Sequence, residues 1–226
     1  PEVIAELLPE LRPCFSFDQC SPYHDRDVWA HTLAALDAAP AEPVLRWAAL
    51  LHDLGKPGCF TRDAGGTGHF YGHGARSAAL ADGILRRLRF DTAARERIVL
   101  LVRHHDEPIL PERQAVRRLL NRLGPEAARQ LLALHRADTL GQAACCRPRL
   151  AQYAQAEALI DALLAEDACF SLRDLALNGR DLLALGLRGP AVGAALEACL
   201  QAVIEERVPN ERSALLALVR RSKNDF

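Results

Sequence analysis

The chain has 226 residues, of which 50% are hydrophobic and 25% are charged, and its formal net charge is −1. This composition is typical of a globular protein and excludes a disordered chain and a collagen-like repeat, while the near-zero charge gives no argument for nucleic-acid binding from overall charge. Seven irregularly spaced cysteines favour a reducing, cytoplasmic compartment, and no apolar run reaches the roughly 20 residues of a membrane span.

Apolar residues recur at helical spacing along most of the chain, and no segment shows sustained strand alternation. The first helix of this kind follows Val28, and the next runs through Leu54, where Gly55 and Pro57 end it. Further helices are predicted over residues 73–89, 91–105, 111–123, 125–139, 149–166, 178–185, 190–206 and 210–220. The long stretch 55–72 between them is typical of a functional or mobile loop.

A short change of composition near residues 141–148 marks a candidate boundary between two helical parts. We therefore predict an all-α fold with an N-terminal helical bundle over residues 1–145. A C-terminal helical region is expected over residues 146–226.

Histidines are concentrated in the first half of the chain, with seven of eight between His24 and His105. His52 and Asp53 close an apolar helical run, and adjacent side chains converge on one ion only where the helix ends. The carboxyl end of a helix also favours a bound cation. His31 lies on the apolar side of the preceding helix, and a connection of a few residues makes the two helices antiparallel neighbours.

Asp138 lies on the inner side of a later predicted helix, where a carboxylate needs a cation or hydrogen-bond donors. Together with His31, His52 and Asp53 it makes a set of two imidazoles and two carboxylates. That set suits Mn²⁺, Fe²⁺, Co²⁺, Ni²⁺ or Zn²⁺ better than Ca²⁺, which prefers oxygen ligands. The alternative interpretation of the His52-Asp53 pair is a histidine that caps the helix beside a solvated aspartate.

The pattern His31, His52-Asp53 and Asp138 on a helical chain resembles the HD superfamily of metal-dependent phosphohydrolases. Six stretches are similar to the HD and C-terminal helical parts of bacterial tRNA nucleotidyltransferases, the CCA-adding enzymes: PYHDRDVWAHTLAAL, LLHDLGKP, GHFYGHG, AVRRLLNRLGPE, RADTLGQ and LALNGRDLLALGLRGPAVGAAL. The resemblance implies an HD-domain bundle with a C-terminal helical extension. The Gly-Ser and Asp-x-Asp signature of the nucleotidyltransferase head is absent, so we expect either a chain whose head was removed or a stand-alone relative.

The resemblance also implies further ligands, since two-metal members of the superfamily add about two histidines before the final aspartate. We therefore expect one or two divalent ions (Mn, Fe, Co, Ni, Zn or Mg). The expected ligands are His31, His52, Asp53, Asp138, His73 and His104. His105 stays open as the alternative to His104, and His73 is alternatively a phosphate contact.

The remaining roles follow from the proposed metal. Asp53 is expected to bridge two ions or to act as a base, and Lys56 to hold a phosphate oxygen unless it is simply solvated. Arg76 and His105 are further candidates for substrate contact. The other histidines are expected to be solvent-facing or substrate-contacting in loops, or structural: His24, His69 and His135.

Two functions of different classes fit these residues. The first is an HD-type metal-dependent phosphohydrolase that uses metal-activated water on phosphomonoesters or 2′,3′-cyclic phosphodiesters of nucleotides or RNA ends. The second is the tRNA-binding body of a CCA-adding nucleotidyltransferase, in which the metal site is structural or vestigial. Three basic clusters fit either an RNA-facing surface or solvated helix faces: Arg86-Arg87-Arg89, Arg117-Arg118-Arg122 and Arg220-Arg221-Lys223. The sequence leaves the oligomeric state open.

Overall fold

The computed structural model describes residues 2–166 and 168–221, and nearly all of their regular structure is helical. The predicted all-α fold is therefore confirmed. The α-helices of the described residues are α1 Glu2–Leu7, α2 Val28–Ala38, α3 Pro43–Leu51, α4 His73–Arg87, α5 Thr92–His104, α6 Arg113–Gly141, α7 Arg149–Ala165, α8 Gly179–Ala184, α9 Pro190–Ile204 and α10 Arg212–Arg221. Within the described ranges, no helix is long and apolar enough to cross a membrane.

Local sequence explains where the helices near the candidate site begin. The Asp27 carboxylate accepts a hydrogen bond from the Ala30 amide and caps α2, and Asp91 caps α5 in the same way. Pro43 occupies the first turn of α3, where its missing N–H costs nothing. The chain enters α4 through Gly72, whose φ of 76° lies in the left-handed region that favours glycine.

The end of α3 and the segment after it differ from the prediction. The helix ends at Leu51 rather than Leu54, and His52 is its C-cap residue. The segment predicted as a loop contains a 3-10 turn, Lys56–Gly58, and a small antiparallel hairpin of β1 Thr61–Arg62 and β2 Gly68–His69. The early helix end is what turns the Asp53 carboxylate toward the same point as the His52 ring.

The two helices predicted over residues 111–123 and 125–139 are both present as the two parts of α6, which is interrupted at Gly124. Gly124 has φ 75° and ψ 166°, which is not helical, and Pro125 follows it. Proline restricts the preceding residue to non-helical conformations, and glycine accepts the left-handed φ. The second part of α6 continues to Gly141 and carries Asp138.

The chain divides into two compact units. The first comprises Pro1–Ile109 with Glu126–Ala154, and its core includes fully buried residues of α4 and α5 such as Ile84 and Leu101. The second comprises Leu110–Pro125 with Gln155–Phe226, and its core includes Leu182, Cys199 and Leu215. The boundary expected at residues 145/146 stays a prediction.

Candidate metal centre

The first unit brings four of the expected ligands together from three helices. The His31 Nε2 atom on α2 lies 3.2 Å from His52 Nε2, 3.3 Å from Asp53 Oδ2 and 2.9 Å from Asp138 Oδ1. His52 Nε2 lies 3.1 Å from Asp53 Oδ2 and 3.6 Å from Asp138 Oδ1. Both histidines and Asp53 are buried, while the Asp138 side chain is 14% exposed. We call these four residues the first ligand group.

A second group shares Asp53. His73, at the start of α4, and His105, directly after α5, place their Nε2 atoms 3.1 Å apart. Each of these atoms lies 3.5 Å from Asp53 Oδ1, whereas the first group uses Asp53 Oδ2. The two oxygens of one carboxylate therefore face two separate sets of ring nitrogens. We call Asp53, His73 and His105 the second ligand group.

Backbone contacts fix the rings so that ligand lone pairs face inward. The Nδ1–H groups of His52, His73 and His105 donate hydrogen bonds to the carbonyl oxygens of Ala49, Phe70 and Val102, at 2.7, 2.8 and 2.7 Å. A carbonyl can only accept, so Nδ1 carries the proton in all three rings. In a neutral ring this leaves the Nε2 lone pair free, as metal ligation requires.

These distances fit bound cations. Four nitrogen and oxygen ligands around one tetrahedral ion at about 2.0–2.2 Å lie about 3.3–3.6 Å from one another. The corresponding distances in the first group run from 2.9 to 3.6 Å. Neither Asp53 oxygen nor His31 Nδ1 has a hydrogen bond of good geometry, although all three atoms are buried. A cation between the converging atoms satisfies the Asp53 oxygens and removes the repulsion between facing lone pairs.

The protonation of the group shows how strongly it attracts positive charge. Burial lowers the pKa of His52, but the carboxylates of Asp53 and Asp138 outweigh burial and raise that pKa to about 10. The same balance raises the pKa of His31. Burial opposes ionisation of Asp53, yet His52 and Lys56 hold its pKa well below the usual range. Without an ion, protons and an ammonium group neutralise this site, and a divalent cation competes with them.

Lys56 lies inside the site rather than in solvent. Its Nζ atom is 2.7 Å from Asp53 Oδ2 and donates a 2.8 Å hydrogen bond to the side-chain oxygen of Gln19. The Lys56 side chain is only 6% exposed, and its ammonium group lies 5.4 Å from the centre of the Phe70 ring. The phosphate contact expected for Lys56 stays a prediction, since here the ammonium is already paired with Asp53.

Other expected site residues lie apart from the two ligand groups. His104 does not join them: it ends α5 and its Nδ1 lies 2.6 Å from Glu107 Oε1, because neighbouring residues at a helix end point about 100° apart. His105 occupies the position that the sequence assigned to either residue. The Arg76 guanidinium is exposed and donates to the Gly58 carbonyl at 3.3 Å.

The three remaining histidines have different surroundings. His24 is half-buried: its ring packs edge-to-face on His31 at 4.9 Å, and burial lowers its pKa to about 3. His69 lies in the hairpin, with Nε2 2.9 Å from Asp63. His135 is buried against Tyr153, and burial lowers its pKa to about 4, while the structural role expected for it stays a prediction.

Two uncharged residues of the site were not predicted. Gln19 is fully buried and bridges Lys56 to the Arg26 carbonyl. Gln142, in the stretch RADTLGQ, directly follows α6 and donates a 3.0 Å hydrogen bond to Oδ2 of Asp138, which lies four residues earlier. The (i, i+4) spacing of Gln142 and Asp138 is a signal that the sequence contains.

We expect Gly141→Ala to weaken metal binding. A Cβ atom at Gly141 would lie 3.0 Å from His31 Nδ1 and 3.1 Å from the Ala35 amide nitrogen, so the end of α6 would move away from α2. Changing a residue that supports the ligands typically costs about 10- to 100-fold in metal affinity. Titration calorimetry with Mn²⁺ measures this affinity.

Gly83→Ala is the matched control, because nothing lies within 4 Å of a Cβ atom at this position in α4. It should keep the wild-type affinity and raise the free energy of unfolding by about 0.5–1 kcal/mol through helix propensity. Wild-type Mn²⁺ affinity in Gly141→Ala would contradict a role for this close approach.

Some arginines of the basic clusters make contacts within the protein. Arg87 pairs with Glu10, and the buried Arg117 donates to the Val203 carbonyl at 2.8 Å. Arg118 is exposed. Lys223 lies outside the described residues.

Comparison with known proteins finds relatives among tRNA nucleotidyltransferases and CCA proteins. A family model described as tRNA nucleotidyltransferase domain 2 matches residues 77–219. The A-adding tRNA nucleotidyltransferase of Deinococcus radiodurans is 34% identical over 203 residues, which covers 86% of this chain and 46% of the relative. The CC-adding tRNA nucleotidyltransferase of Thermus thermophilus is 36% identical, covering 94% and 49%, and the multifunctional CCA protein of Nitrosococcus oceani is 32% identical, covering 92% and 51%. The chain spans about half the length of these curated relatives.

These relatives correct one expectation from the sequence. The expectation of an HD-type phosphohydrolase is wrong at the level of enzyme class, because the proteins that match are transferases acting on tRNA. The matching family model begins at residue 77, after His31, His52 and Asp53. The family match therefore leaves out these three residues, although it includes His105 and Asp138.

Proposed function

The chain belongs to the tRNA nucleotidyltransferase domain 2 family, and on that premise we propose that it is the tRNA-holding helical body of a CCA-adding type nucleotidyltransferase. The observation that carries this proposal is the extent of the family match, which covers residues 77–219 and so includes parts of both compact units. Coverage of about half of each relative fits a body region of such an enzyme.

We propose that the two ligand groups hold divalent cations, with Asp53 bridging them. His31, His52 and Asp138 would complete one ion, and His73 and His105 would hold the other. Imidazole and carboxylate ligands favour Mn²⁺, Fe²⁺, Co²⁺, Ni²⁺ or Zn²⁺. This arrangement is the basis for placing the first unit among HD-type domains.

In this proposal the cations serve the body as a structural centre. The ligands come from α2, the end of α3, α4, the end of α5 and α6, so bound ions link the main helices of the first unit. When bound, a divalent cation supplies the positive charge that the buried carboxylates need. This role is consistent with a chain that spans about half the length of its relatives.

The test is tRNA binding. We expect the chain to bind tRNA with an affinity that falls steeply as salt concentration rises, because each phosphate contact contributes a slope of about −0.7 to −0.9 in log–log form. Gel-shift or filter-binding measurements at several salt concentrations give this slope. A duplex DNA of equal length is the control for general polyanion binding. No complex with tRNA at low salt, or equal affinity for the DNA, would contradict the proposal.

A further inference from the structure

A second cluster of side chains lies beside the first ligand group, where residues 21–24 contact the end of α6. The Ala143 amide donates a 3.0 Å hydrogen bond to the Tyr23 carbonyl, and the Cys146 thiol lies 3.8 Å from the same oxygen. These contacts hold the backbone of Tyr23 in place. Its side chain nevertheless remains 52% exposed.

An arginine lies against the Tyr23 ring and is connected to a metal ligand. The Arg149 guanidinium is 5.7 Å from the centre of the ring and donates a 3.2 Å hydrogen bond to Gln142 Oε1. Gln142 in turn donates to Asp138 Oδ2 at 3.0 Å. The exposed Tyr23–Arg149 pair is thus held in register with the first ligand group by two hydrogen bonds.

Two more exposed arginines surround the same helix end. Arg26 donates to the Gly141 carbonyl at 3.0 Å, and Arg147 donates to the carbonyls of Thr139 and Leu140 at 3.1 and 3.0 Å. These acceptors are uncharged, so the hydrogen bonds orient the guanidinium groups without cancelling their charge. Guanidinium groups bind phosphate oxygens in a bidentate way.

His24 lies next to Tyr23 on the inner side of this cluster. Its ring contacts His31, and its buried Nδ1 atom has no hydrogen-bond partner in the structure. A polar atom of this kind is a position where a ligand or water completes the hydrogen bonding.

We propose that Tyr23 and Arg149 bind an unpaired nucleotide of an RNA strand, with the base stacked on the Tyr23 ring and the phosphate held by Arg149. The inference rests on the proposed tRNA-holding function and names the part of the body that receives a single-stranded segment. An aromatic ring beside a guanidinium group matches the two chemical parts of a nucleotide, since bases stack on aromatic rings and phosphates pair with arginine. The ligand chemistry is a nucleoside phosphate, either in RNA or free.

The first test measures binding of a short single-stranded RNA by fluorescence anisotropy. Base stacking on an aromatic ring is worth about 1–3 kcal/mol, so Tyr23→Ala should weaken binding about 5- to 150-fold. Tyr23→Phe keeps the ring and should bind within about twofold of wild type by the same stacking argument. Tyr71→Ala is the matched control, because Tyr71 is also exposed, but it follows the hairpin and stacks on His69.

The second test separates the phosphate contact from support of the metal site. Arg149→Ala should make the slope of log affinity against log salt about 0.7 shallower, as expected for one lost phosphate contact on a single strand. Mn²⁺ affinity, measured on the same variant, should stay within about threefold of wild type, well short of the effect of losing ligand support.

The outcomes are distinct from those of the proposed function. If whole tRNA binds equally to wild type and Tyr23→Ala, and the short RNA binds to neither, the site assignment is overturned while the tRNA-holding function stands. Equal losses in Tyr23→Ala and Tyr71→Ala also overturn it. Adenosine monophosphate bound as tightly as the short RNA would identify a free nucleotide as the ligand and overturn the RNA assignment.

Discussion

Removing divalent metal should lower the melting temperature of the protein by about 8–16 °C. A ligand present at 1,000 times its dissociation constant stabilises the folded state by about 4 kcal/mol, and a domain of 150–250 residues shifts about 2–4 °C per kcal/mol. The effect is expected because the ligands come from separate helices of the first unit. Scanning calorimetry of Mn²⁺-loaded and chelated protein measures the shift.

The shift should grow with pH between 6 and 9. His52 has its pKa raised to about 10 without metal, so over this range a cation must displace a proton from the ring to bind. Raising the pH reduces the competition of protons for the ring nitrogen and so strengthens metal binding. Ca²⁺ is the control ion, because it prefers oxygen ligands and each group contains two imidazoles.

Equal melting temperatures with and without Mn²⁺ across this pH range would contradict a structural metal centre. The ligand groups would then be vestigial, which is the other form of the body hypothesis. The tRNA-binding measurement tests the body assignment separately, because vestigial ligand groups are compatible with a tRNA-holding body.

The sequence predicted the first ligand group because simple rules connect its members. His31 and His52 lie on helices joined by a short connection, so antiparallel packing brings them together. Asp53 joins them because Gly55 and Pro57 end the helix early, and Asp138 lies on an apolar helix face that must pack inward. Periodicity and helix-end signals carry this information without any tertiary contact.

Other features of the site depend on tertiary contacts, and the hydrophobic periodicity of the sequence does not predict them. Whether His104 or His105 faces the site depends on the turn after α5, where His105 Nδ1 bonds to the Val102 carbonyl. Gln19 carries no charge and belongs to no motif, so nothing in the sequence indicates that it contacts Lys56. The turn that follows the helix end at Leu51 also makes a tertiary contact, since the Gly55 amide donates a 2.8 Å hydrogen bond to the Ser77 hydroxyl on α4.

Asp53→Asn should have the largest effect of any single substitution at the site. Asp53 is 1% exposed and balances the buried Lys56 ammonium at 2.7 Å. Removing one partner of a buried ion pair leaves the other uncompensated and costs about 3–5 kcal/mol. Urea denaturation of the metal-free protein should show a loss of this size, and calorimetry should show that neither ion binds, whereas His73→Ala should lose only one.

A double-mutant cycle separates the ion pair from general damage to the core. Lys56→Met removes the stranded charge, and Met fills a similar volume, so Asp53→Asn combined with Lys56→Met should be more stable than Asp53→Asn alone. The recovered stability measures the Asp53–Lys56 coupling, while metal binding stays lost because the bridging carboxylate is absent. A double variant no more stable than Asp53→Asn would show that Lys56 does not depend on this carboxylate, and that Asp53 stabilises the fold through its histidine contacts instead.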